Sequence, residues 1–112
     1  MSELIEKQLR FSRRLMLLVM HLHAMGYEMS GGHWLRCGNC YVGAKNSVHK
    51  LKLAVDINLW LRPAKNERPR FLTGRAAEKA HAKLHDYWDQ LGGAPRIEGD
   101  YNHYSFEYHG RW

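Results

Sequence analysis

The chain has 112 residues, with 17 Lys and Arg against 11 Asp and Glu and a formal charge of +6. That length suits one domain with a single hydrophobic core rather than a catalytic domain joined to a targeting module, and 45% hydrophobic residues exclude a disordered chain. Two cysteines, Cys37 and Cys40, exclude a disulfide framework and a four-cysteine zinc site.

Leu4, Phe11, Leu15, Leu18, Leu22 and Met25 recur mostly three, four or seven apart over residues 3 to 25, with Lys7, Arg10, Arg13 and Arg14 between them. This spacing predicts an amphipathic helix, ended by Gly26 in the C′ position. Ser12-Arg13-Arg14 before Leu15 to Met20 has the outline of a twin-arginine export signal. However, the apolar run is short, His21 and His23 break it, and no small-residue cleavage site follows. No run approaches the roughly 20 apolar residues of a membrane span. The expectation is a soluble protein made in the cytoplasm without a cleavable signal.

Tyr27 to His33 reads as a short strand closed by Gly31 and Gly32, and residues 36 to 48 read as loop. Leu53, Val55, Ile57 and Leu59 alternate with Ala54, Asp56 and Asn58, which predicts a strand with one apolar face and Asp56 on the other. Arg62 to Arg70, with two prolines among basic residues, reads as an exposed loop. Thr73 is the expected N-cap of a second helix, whose Ala77, Ala80, Leu84, Trp88 and Leu91 form one stripe and whose end falls at Gly92-Gly93. In the last segment Tyr104, Phe106 and Tyr108 alternate with His103, Ser105 and Glu107. The aromatic face belongs to the core, and the polar face looks into a cleft or solvent.

Eight histidines in so short a chain direct the reading toward metal ligation and proton transfer. The strongest local signal is Ser47-Val-His49-Lys-Leu-Lys-Leu-Ala54-Val-Asp56, paired with Asp100-Tyr-Asn-His103. Catalytic zinc takes three protein ligands from imidazole and carboxylate and keeps a fourth position open; His49, Asp56 and His103 would supply such a set. Seven residues apart, His49 and Asp56 would face opposite ways on one regular strand, so the chain must turn between His49 and Ala54 to bring both to one ion. His103 meets Asp56 if their strands are neighbours, and Asp100 lies just ahead, within reach of the water without ligating the ion. By spacing alone, scattered polar residues remain the competing reading.

The two motifs resemble those of the zinc D-Ala-D-Ala carboxypeptidase and L-Ala-D-Glu endopeptidase family, S-x-H-x-x-G-x-A-x-D followed by D-x-x-H or E-x-x-H. Ser47, His49, Ala54 and Asp56 match the first motif, and Asp100 with His103 matches the second. Gly26-Tyr27, Asp56-Ile57-Asn58-Leu59, Leu72-Thr73, Tyr87 to Gly93 and His103 to Tyr108 are similar to the short phage-encoded members, so that the resemblance spans residues 14 to 110. It implies an α+β fold of the Hedgehog/D-Ala-D-Ala-peptidase type, a small antiparallel sheet carrying the zinc with helices packed on its back. It also implies His49, Asp56 and His103 as zinc ligands, Asp100 as general base, and Arg36 as the cation that polarises the substrate carbonyl or binds a carboxylate. Lys52 stands where the family has glycine, and Gly32-His33-Trp34-Leu35 replaces the more acidic lead-in to Arg36.

The function that the resemblance implies is hydrolysis of peptidoglycan stem peptides by a monomeric phage endolysin of L-Ala-D-Glu specificity acting on the cell wall, with no nucleic-acid partner expected. The alternatives are a D-Ala-D-Ala carboxypeptidase, or a non-catalytic basic module holding wall polymer or nucleic acid. Glu107 is a candidate outer partner of the site or a second base. His81 and His85 lack the Glu of H-E-x-x-H and read as a solvated helix face. Cys37-Gly-Asn-Cys40 reads as a reduced loop, with a local metal or disulfide as the alternative.

Overall fold

A computed structural model describes residues 2–31, 53–62 and 66–112. Ser47, His49, Lys52, Arg36, Cys37 and Cys40 lie outside these residues. Helix α1 spans Glu3–Ala24, strand β1 Tyr27–Gly31, β2 Ala54–Leu61, β3 Arg70–Phe71, helix α2 Gly74–Gln90 and β4 His103–Ser105. Over the described residues the fold is mixed α+β, two helices and a small antiparallel sheet.

Strand β2 is the axis of the sheet. It pairs with β1 along Tyr27↔Leu61 to Gly31↔Ile57, with β3 at Trp60↔Phe71 and with β4 from Ala54↔Ser105 to Asp56↔His103. Ile57 N donates to Asn102 O and Leu59 O accepts from Leu72 N. Residues two apart present their main-chain groups to the same edge, so β3 and β4 share one edge of β2 and β1 holds the other. Leu53, Val55, Ile57 and Leu59 join Phe11, Leu18 and Leu22 of α1 and Ala77, Ala80, Leu84 and Trp88 of α2 in one core, completed by Tyr104 and Phe106. This alternation sets the helices on the odd-numbered face of β2 and turns Asp56 to the opposite one.

The helix ends follow their sequence signals. Ser2 caps α1 by accepting from Ile5 N, and Gly26 after it takes φ +93°. Thr73 holds the N-cap position of α2 with extended backbone but without a side-chain bond. Gly93 N donates to Trp88 O, and a Cβ at Gly93 would stand 2.0 Å from the buried indole. Only glycine fits there.

Three expectations are corrected. The stretch expected as loop up to Arg70 ends in strand β3, held by Leu72 N on Leu59 O. The last strand stops at Ser105, and Tyr108 makes only an isolated bridge with Arg111. His81 and His85 are not solvated. Both are buried, because α2 buries Ala77, Ala80, His81, Leu84, His85 and Trp88, a face one position wider than the aliphatic stripe.

Candidate metal centre

The ladder hydrogen bonds fix the geometry of the centre. Ile57 N to Asn102 O and Phe106 N to Leu53 O flank Asp56 and His103, which leaves those two as a non-hydrogen-bonded pair. Facing side chains come closest at such positions. Asp56 and His103 are 8% and 6% exposed, and Asp56 Oδ1 is 3.3 Å from His103 Nδ1.

Asp100 reaches the same corner through the turn that precedes β4. Its N–H donates to Ile97 O and its carbonyl accepts from His103 N, so the chain folds back on itself between Asp100 and His103. One donor atom from each of Asp56, Asp100 and His103 lies within 4.8 Å of the others, with Asp100 exposed and the other two buried. Among the described residues this carboxylate, carboxylate and imidazole group is the one that could hold a metal ion. Two ligands of a tetrahedral zinc with bonds of about 2.0 Å stand about 3.3 Å apart. The Asp56–His103 separation fits that value, and the donor types are those zinc takes.

Helix α2 braces this turn from behind. His85 Nε2 donates to Tyr101 O at 2.8 Å, between Asp100 and His103, and the His85 ring stacks on Tyr104 at 4.2 Å. His81 Nδ1 and the Tyr104 hydroxyl share a 2.6 Å hydrogen bond. Burial lowers the pKa of His81 to about 4, with His85 adding to the effect, and burial likewise lowers that of His85; both rings are neutral near pH 7. Burial pushes the Tyr104 hydroxyl up, so it keeps its proton. Because a carbonyl only accepts, the bond to Tyr101 fixes the His85 proton on Nε2, and its buried Nδ1 has no partner among the described residues.

The structure thus brings together Asp56, Asp100 and His103, while His49 and Arg36 fall outside the described residues. Glu107 does not join them. It contacts Lys7 Nζ at 3.8 Å and accepts from Gly110 N, because β4 has ended before its position is reached. His81, His85 and Tyr101 are the residues that motif reading missed; the i, i+4 histidines adjoining the apolar stripe were the available signal. A cavity of about 200 Å³ is lined by Ile57, Asn58, Leu59, Phe71, Leu72, His81, Gly99, Tyr101 and Asn102.

Comparison of the chain with family models, with curated proteins and with solved structures gives no match.

Proposed function

We propose that the chain is a zinc peptidase of the Hedgehog/D-Ala-D-Ala-peptidase type that cuts peptidoglycan stem peptides between L-Ala and D-Glu, as a phage endolysin made in the cytoplasm and acting on the wall. The observation that supports this most is the convergence of Asp56, Asp100 and His103 from two neighbouring strands and one turn. In this reading Asp56 and His103 hold the ion with His49, and Arg36 receives a carboxylate or the scissile carbonyl of the substrate.

When bound, zinc acts as a Lewis acid and lowers the pKa of water to about 7. Asp100 is the exposed member of the group. It takes the proton of the attacking water and returns it to the leaving amine. Asp56 and His103, buried on rigid strands, hold their positions while Asp100 works. His85 fixes the backbone of the turn through Tyr101 O and so limits where Asp100 can go.

Mass spectrometry of digested muropeptides tests the assignment. Peptides beginning with D-Glu are the expected product. Release of D-Ala alone would indicate a carboxypeptidase, free stem peptides beginning with L-Ala an amidase, and no product at all the non-catalytic binding module.

A further inference from the structure

Helix α1 is apolar on two faces. Phe11, Leu18 and Leu22 are buried in the core, yet Met16 and Met20 are each 67% exposed and Ile5 and Leu9 each 46%. The spacings between Ile5, Leu9, Met16 and Met20 are four, seven and four, which at 3.6 residues per turn places all four within about 60° of arc. The stripe runs about 22 Å along the helix, with exposed Leu17 beside it. A contiguous apolar patch of this kind marks an interaction surface.

The charges beside the stripe identify its partner. Arg10, Arg13 and Arg14 are exposed at the middle of the helix, and among the described residues none of them has an ion-pair partner. The helix carboxylates, Glu3 and Glu6, lie in its first turn. A second copy of the chain packing stripe on stripe would cross near residues 12 and 13, the midpoint between Ile5 and Met20. That crossing brings Arg13 near the partner's Arg13, a like-charge approach that opposes it. An anionic lipid surface meets both features at once, since methionine and leucine side chains enter the acyl boundary while arginines reach phosphate. No described helix is long and apolar enough to cross a membrane, so contact is made by a helix lying along the surface.

We infer that the exposed face of α1, Ile5, Leu9, Met16, Leu17 and Met20 with Arg13 at its edge and Arg10 beside Leu17, docks the protein on an anionic bilayer surface. This does not depend on the metal centre, from which the stripe is separated by the core.

Sedimentation of the full chain with vesicles of phosphatidylglycerol and phosphatidylcholine, against phosphatidylcholine alone, tests it. The expected result is binding to the anionic vesicles that weakens as salt is raised. Met16→Ser with Met20→Ser should lower partition at least about tenfold through lost apolar burial. Arg13→Gln should lower it about fivefold, since a basic residue near an anionic leaflet contributes about that factor. Both sets of side chains are exposed, so circular dichroism should show unchanged helix content. Absence of binding at low salt, or equal partition onto neutral vesicles, would overturn the inference. So would a dimer in sedimentation equilibrium that dissociates on Met16→Ser with Met20→Ser, because the stripe would then belong to a second copy.

Discussion

Asp56 Oδ1 and His103 Nδ1 face each other across the β2–β4 ladder at 3.3 Å, a separation longer than a good charge-assisted hydrogen bond and matched to two ligands of one ion. The pairing comes from register: any slip of one residue would send one of the two side chains to the helix face.

Zinc at about a hundredfold excess over its dissociation constant should therefore raise stability by about 2.7 kcal/mol, and Asp56→Ala or His103→Ala should abolish that increment. Thermal unfolding with and without zinc measures it. An increment preserved in His103→Ala would remove His103 from the ligand set.

Asp100→Asn should separate binding from chemistry. The variant is expected to fold and to keep its zinc increment while hydrolysis falls by about 10²- to 10⁴-fold, the ordinary contribution of a positioned base. Loss of the increment would make Asp100 a ligand, and full activity would deny it the role of base.

His81 gives the protein a defined acid sensitivity. Its folded pKa of about 4 lies below the ordinary 6.5, so between these values the unfolded chain binds more protons and stability falls as pH drops. The contribution is fully present above pH 6.5 and is lost down to about pH 4, amounting to roughly 3 kcal/mol. Burial lowers the His85 pKa too, which adds loss in the same direction. Urea unfolding at pH 7 and pH 4.5 should show a smaller difference in His81→Gln than in the parent chain; equal differences would contradict the assignment.

Gly93→Ala should destabilise by about 2 kcal/mol or more, the cost of overpacking against a side chain that cannot move. Trp88 is fully buried and its Nε1 donates to Ser105 O, so the indole is held from both sides. Unchanged urea stability in this variant would show that the turn relaxes freely.

Much of the fold was legible because the residues carry a period. Leu53 to Leu59 alternate and Phe11, Leu18 and Leu22 recur on one helix face, and the pairing of Asp56 with His103 follows once β2 and β4 are neighbours. Strand β3 was not legible, since two residues have no period and their place depends on Leu59 offering its carbonyl. His81 and His85 were misread because polarity is a poor guide to burial where Tyr104 and the Tyr101 carbonyl supply the partners. Glu107 looked like a neighbour of His103 by alternation, and the end of β4 at Ser105 breaks that alternation.

Replacing Cys37 and Cys40 by serine should leave zinc content unchanged, because the proposed centre uses no thiolate; a large fall would add a thiolate site to the chain.

The most direct measurement is the zinc content of the purified chain by native mass spectrometry, with Asp56→Asn and His49→Ala alongside. One zinc per parent chain and none in either variant is the expected result. A parent chain that takes up no zinc, or variants that keep it, would contradict the metal centre and with it the proposed peptidase.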